Sequence, residues 1–90
     1  MSGLNTARIP FRVRLEEGNF KGEAIGIGDS LKDNSMFEVH LEDGNSFLVK
    51  AEVDLELQRY TWSSHDEKPV HKLIPFIGRV IERYYKSLSA

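Results

Sequence analysis

Five carboxylates in the middle of the chain fall at even-numbered positions, a spacing that could bring them together to bind a metal ion or to act in acid–base catalysis. They are Glu38, Glu42, Glu52, Asp54 and Glu56. Both kinds of chemistry require carboxylates in a concave, partly desolvated site. Here the even positions alternate with apolar residues, which is typical of the solvent-exposed face of a strand. The sequence therefore predicts neither a metal site nor a catalytic carboxylate.

Histidine, serine and cysteine are the other residue types that commonly do chemistry. His40, His65 and His71 do not have a recognised metal-ligand spacing. The chain contains no cysteine, which excludes disulfides, thiolate catalysis and cysteine-based metal sites. Ser63 and Ser64 lie next to His65 without the sequence pattern of a hydrolase nucleophile. We therefore expect no enzymatic activity, no metal and no cofactor.

Basic side chains form two rows that could bind an anion. The rows are Arg8, Arg12 and Arg14 on the first predicted strand, and Arg79, Arg83 and Lys86 at helical spacing near the C-terminus. Such rows can bind phosphate backbones. However, the formal net charge of the chain is -2, which does not favour an anionic partner. In addition, we expect acidic residues to pair with the basic ones: Arg12 should lie opposite Glu23, and Glu82 can pair with Lys86 one turn along a helix. Internally balanced charge argues against nucleic acid as a partner, and binding of nucleic acid or of another anionic ligand is the alternative hypothesis.

The bulk properties indicate one ordinary soluble domain. The chain has 90 residues, of which 40% are hydrophobic and 29% charged. No apolar run approaches the roughly 20 residues that cross a bilayer, and the N-terminus lacks the apolar core of a signal peptide. We therefore expect a cytoplasmic protein without a membrane partner. Residues 1–7 are mostly small and polar, and we expect them to be disordered.

Alternation of apolar and polar residues predicts β-strands over most of the chain. The predicted strands cover residues 8–17, 20–28, 35–42, 46–55 and 58–63. The apolar positions change parity between the last two, since Leu55 and Leu57 are odd whereas Tyr60 and Trp62 are even. This change indicates a bulge, a sharp bend or a break near Glu56–Arg59.

The last segment has the period of an amphipathic helix. Apolar residues recur at spacings of three and four from Leu73 to Leu88, and Pro75 is compatible with a first helical turn. We predict a helix over residues 71–88. Strands followed by one helix indicate an α+β fold: an antiparallel meander of about five strands, strongly twisted or curled into a half-barrel, with the C-terminal helix packed on one face.

Parity also predicts how the third and fourth strands pair. Residues opposite each other share a face, so a two-residue Asp43-Gly44 turn would put apolar side chains on both faces. Pairing Leu41 with Phe47 avoids this problem. The loop is then Asp43-Gly44-Asn45, with Asn45 in the left-handed conformation, or five residues if both ends fray.

The second predicted strand has one face with almost no side chains. Pairing Leu15 with Phe20 across a four-residue turn puts on that face Gly22, Ala24, Gly26 and Gly28. Glycine in a strand suggests close approach by another element, and we expect the helix to lie on this strip, with Gly78 on its side of the contact. The alternatives are a ligand groove, or a bulge that returns Ile25 and Ile27 to the core.

Apolar residues on the other face of the second strand form the leading candidate site. Ile25 and Ile27 share this outer face with Met36 and Leu48. A contiguous exposed apolar patch usually marks an interface. The sequence therefore predicts a small non-catalytic binding or regulatory domain that acts through protein–protein contacts or self-association.

Aromatic residues form the second candidate surface. Tyr60, Trp62 and Tyr85 should meet where the last strand reaches the helix. Rings at such a junction usually belong to the core, with their polar tips at its edge. An exposed platform for a partner is the alternative.

Overall fold

Five antiparallel strands form one sheet, and a single helix crosses it. The computed structural model describes residues 6–27, 31–64 and 72–88. The elements in chain order are β1 (Thr6–Leu15), β2 (Gly18–Ile27), β3 (Met36–Leu41), β4 (Ser46–Asp54), β5 (Arg59–Ser63) and α1 (Leu73–Leu88). Neighbouring strands in the sheet follow the order of the chain, and the sheet curls into a half-barrel. The predicted α+β meander with a packed C-terminal helix is confirmed.

Each element begins and ends within two residues of its predicted position. At the N-terminal end of the chain, β1 starts at Thr6, two residues before its predicted start. Because Thr6 pairs with Ile27 and Ala7 is buried, these two residues belong to the sheet and not to a disordered tail. Residues 1–5 lie outside the described residues.

The change of parity near Glu56 results from a turn that separates two strands. Asp54 pairs with Arg59, which leaves residues 55–58 as the connection. Leu55 and Leu57 therefore project from the turn, and Leu55 is 84% exposed. Leu55 was predicted to be the last residue of β4, but the strand ends one residue earlier, at Asp54.

The core fills the concave side of the sheet. Every second residue of β1, β3 and the first part of β4 is buried there, as the alternation predicts. The side chains from α1 that complete the core are Leu73, Ile74, Ile77, Ile81 and Tyr85. Full burial of an aliphatic side chain of this size contributes about 1.5–3 kcal/mol. The charged residues of the strands consequently face outward, on the convex side.

Helix α1 packs against β1 and β5, the two outermost strands, and closes the mouth of the half-barrel. Pro75 lies in its first turn, where the missing N–H has no helical acceptor to lose. An ion pair of 3.6 Å between Lys72 and Glu17 holds the start of the helix near the β1–β2 turn. This position differs from the predicted one, since the glycine-rich strand β2 is not the main contact of the helix.

The glycines that were expected to face each other have different neighbours. The ring of Phe37 on β3 occupies the space that a Cβ atom of Gly26 would fill, and the backbone of His40 does the same at Gly22. On the helix, Gly78 lies under the indole ring of Trp62 from β5. The strip on β2 thus allows close packing within the curled sheet, while Gly78 allows the helix to approach β5.

The β3–β4 hairpin is shifted by two residues from the predicted register. Val39 faces Phe47, and the Leu41 N–H donates to the Asn45 carbonyl oxygen at 2.9 Å. The tight loop is therefore Glu42-Asp43-Gly44. Its last residue, Gly44, has a φ of 96°, a conformation that glycine adopts without steric cost and that Asn45 was predicted to adopt.

The β1–β2 hairpin differs from its prediction in the same way. Val13 faces Phe20 and Leu15 faces Gly18, which leaves a two-residue turn. Because the shift is an even number, each side chain stays on its predicted face. The shift does change the partners across the strands: Arg12 faces Lys21 instead of Glu23, and Arg8 forms the ion pair with Glu23 at 2.9 Å.

We predict that Gly78→Ala destabilises the protein by about 1–3 kcal/mol, because the added methyl group overlaps the Trp62 ring. In an unconstrained helix the same change would stabilise by about 1 kcal/mol, so the sign of the effect is informative. Urea unfolding followed by circular dichroism measures it. Arg83→Ala, at an exposed position of the same helix, is the control and should change the free energy of unfolding by less than about 0.5 kcal/mol. A more stable Gly78→Ala variant would contradict the contact.

We predict that Gly44→Ala lowers the free energy of unfolding by about 1–2 kcal/mol, since an alanine at a positive φ is strained. Chemical denaturation measures this loss. Ser46→Ala is the control, because Ser46 is exposed and extended in β4. If Asn45→Gly stabilised the protein while Gly44→Ala had no effect, the predicted register would be the correct one.

Candidate functional site

Three of the four apolar residues expected on the outer face of the sheet lie there in the structure, near its centre. Ile25 faces Glu38, and Glu38 in turn faces Leu48. Met36, which faces Lys50, lies diagonally between these neighbours. Met36 and Leu48 are 49% and 43% exposed, and Ile25 is half-buried. The fourth candidate, Ile27, pairs with Thr6 at the end of β2, and its side chain lies outside the described residues.

Charged residues of both signs lie within and around this apolar group, which we call the convex patch (Ile25, Met36 and Leu48). Arg8 and Glu23 form an ion pair at one side. Glu38, between Ile25 and Leu48, hydrogen-bonds to His40. Lys50 flanks Met36. Exposed pairs of this kind contribute little to stability, so the charges chiefly determine which partners the patch can accept.

The aromatic candidates are divided between the core and its edge. Tyr85 is only 8% exposed, and its ring lies 6.1 Å from that of Phe37; it is a core residue and does not belong to an exposed platform. Tyr60 and Trp62 are half-buried. The Tyr60 hydroxyl donates to the Leu31 carbonyl oxygen at 2.9 Å, which anchors the ring to the loop before β3.

A groove of about 330 Å³ runs between β5 and α1. The residues that line it are Arg59, Tyr60, Thr61 and Trp62 from the strand, and Pro75, Arg79 and Glu82 from the helix. The Trp62 Nε1–H donates to Glu82 Oε2 at 2.8 Å and bridges the two walls. The sequence analysis did not identify this groove or the position of Arg59 in its wall. The available signal was the predicted meander order, in which the last strand, β5, forms an edge of the sheet.

The two basic rows do not form one surface. Arg12 and Arg14 lie on the convex side of β1 and line an open groove of about 780 Å³ near the hairpin turns. Lys21 also lines it but pairs with Glu42 at 3.4 Å, and Asp43 adds a second carboxylate. The helical row lies on the other side of β1, because α1 covers the concave face. Of that row, Arg79 lines the groove at β5.

The candidate carboxylates and histidines of the described residues do not converge on one site. Asp54 Oδ1 accepts hydrogen bonds from the N–H groups of Glu56 and Leu57, at 3.0 and 3.1 Å, and so stabilises the β4–β5 turn. Among residues 6–27, 31–64 and 72–88, no three histidine or acidic side chains are grouped so that they could hold a metal ion. His65 and His71 lie outside the described residues.

Helix α1, the helix that the structure describes, is not long and apolar enough to cross a membrane.

Comparison with known proteins identified no relative. No protein-family model, no curated protein and no solved structure matches the chain.

Proposed function

We propose that the protein is a small binding domain that associates with a second copy of itself through the convex patch. The observation that carries this proposal is the position of Met36 and Leu48, two large apolar side chains that are nearly half exposed at the centre of a regular sheet face. Scattered exposed apolar residues are common on monomers. Adjacent ones framed by charged side chains are more typical of an interface core with a polar rim.

The charges around the patch support a second copy as the partner. In a two-fold interface the same surface meets itself, so a surface of one sign would repel its copy. Here Arg8 and Lys50 are basic, whereas Glu23 and Glu38 are acidic. Rotation of one copy by half a turn can bring opposite charges together around the apolar centre, as electrostatic complementarity requires.

Anion binding through the arginines is the alternative function. Its support is the open groove near the hairpin turns, which brings Arg12 and Arg14 together with Lys21. Glu42 pairs with Lys21 in the same groove, and Asp43 adds a further negative charge. These carboxylates compete with a bound anion, and for this reason we favour self-association.

We predict that the chain forms dimers at micromolar concentration and that Leu48→Asp converts them to monomers. The new carboxylate would lie directly beside that of Glu38, and the interface would then desolvate two neighbouring like charges, which should weaken association by about 100-fold or more. Sedimentation equilibrium or light scattering coupled to size exclusion measures the mass. Circular dichroism verifies that the variant folds.

Leu55→Asp is the matched control, because it removes an equally large and more exposed leucine outside the convex patch. It should leave the dimer intact. A wild-type chain that stays monomeric at high concentration would overturn the proposal, and so would an equal loss of association in both variants.

A further inference from the structure

The groove between β5 and α1 lies along the free edge of the sheet. It touches four consecutive strand residues, from Arg59 to Trp62. Successive side chains of a strand point to opposite faces, so a cavity that touches all of them must run beside the strand and not over one face. The opposite wall is a helical stripe formed by Pro75, Arg79 and Glu82.

The hydrogen-bond pattern of the sheet determines which main-chain groups face this groove. In β4, the Ala51 N–H and carbonyl both bond toward β3, to Ser35 and Asn34 at 2.8 Å. Alternate residues of an antiparallel strand bond to opposite neighbours. The even residues of β4 therefore bond to β5, and Glu52 pairs with Thr61. It follows that the N–H and C=O groups of Tyr60 and Trp62 point away from the sheet.

The two edges of the sheet differ in their ability to accept another strand. By the same alternation, the outward-facing residues of β1 are its even ones, and Pro10 is among them. Proline has no N–H to donate, and with charged neighbours it is a common protection against edge pairing. β5 contains no proline. Within the described residues, no backbone or side-chain hydrogen bond engages the outer main-chain groups of Tyr60 and Trp62.

Two guanidinium groups give the groove its charge. Arg59 and Arg79 both line it, and neither side chain has a hydrogen bond or ion pair with another residue in the part of the chain that is described. By contrast, the carboxylate of Glu82 is engaged by the Trp62 indole. Both guanidinium groups are therefore available to carboxylates of a bound partner.

We propose that this groove binds an extended peptide with acidic side chains, which adds as a sixth strand to the edge of β5. Main-chain hydrogen bonds to Tyr60 and Trp62 would hold the peptide, as in other cases of strand addition. Arg59 and Arg79 would select for carboxylates on it. The site is separate from the convex patch, and the proposal does not depend on self-association.

The lone tryptophan of the chain lies in the groove wall and reports on binding. A capped peptide of alternating glutamate and valine should change Trp62 fluorescence in a saturable manner. Arg79→Gln should weaken its binding by about fivefold to tenfold, whereas Arg83→Gln, on the same helix but outside the groove, should not. The whole chain is negatively charged, so a non-specific attraction for this peptide is not expected.

Two further peptides separate strand addition from simple attraction between charges. The same sequence with alternate amides N-methylated keeps its carboxylates but cannot form the ladder, and it should bind at least about tenfold more weakly. The peptide with glutamine in place of glutamate should also bind more weakly. Equal affinity of all three peptides, equal effects of the two arginine variants, or no response of Trp62 would each overturn the proposal. So would a wild-type dimer that a folded Tyr60→Pro variant no longer forms, because this substitution removes an outward-facing N–H of the edge and the edge would then be occupied by a second copy.

Discussion

The contact between the indole ring of Trp62 and the backbone of Gly78 joins the last strand to the helix, and the closure of the half-barrel depends on it. A curled five-stranded meander leaves its concave side open to water unless another element covers it. Against β1, the helix provides ordinary aliphatic packing. Against β5, it relies on one large ring resting on a residue without a side chain, with the indole N–H bonded to Glu82. Any side chain at position 78 would overlap the ring, so either the ring or the helix would have to move.

The same contact separates the surfaces on which a partner could act. Because α1 occupies the concave side, the convex face stays accessible across all five strands, and it carries apolar residues at its centre and charges of both signs around them. Because the helix stands beside β5 without hydrogen-bonding to its main chain, a groove remains along the strand edge. One surface is thus a broad sheet face and the other a narrow channel with main-chain groups in its wall. The arginines of β1 and those of α1 belong to different surfaces for the same reason.

Much of this architecture could be predicted from the residues, and the errors have a common cause. Period-two alternation identified the strands and the face on which each side chain lies, and a period of three to four identified α1. Both predicted hairpin registers were wrong by two residues. Parity excludes a register shifted by an odd number of residues, because such a shift moves side chains to the other face. It does not exclude a shift of two, which leaves every side chain on its face. The conformation of the turn decides between them, and Gly44 adopts the positive φ that had been assigned to Asn45. The pairing of Arg8 rather than Arg12 with Glu23 follows from that choice.

The sequence by itself determined the local structure and the inward or outward direction of the side chains, because these depend on periodicity along the chain. It also identified Ile25, Met36 and Leu48 as members of one outer face. Only the tertiary structure decided where the helix lies and which residue fills the space above Gly22, Gly26 and Gly78. It also decided that the edge of β5 runs beside two arginines whose side chains have no partner among the described residues. These features depend on contacts between residues that are far apart in the chain, such as Trp62 with Gly78, or Arg59 and Arg79 in one groove. The distance in space between such residues depends on how the whole sheet curls, and the spacing of residues along the sequence does not determine that curvature.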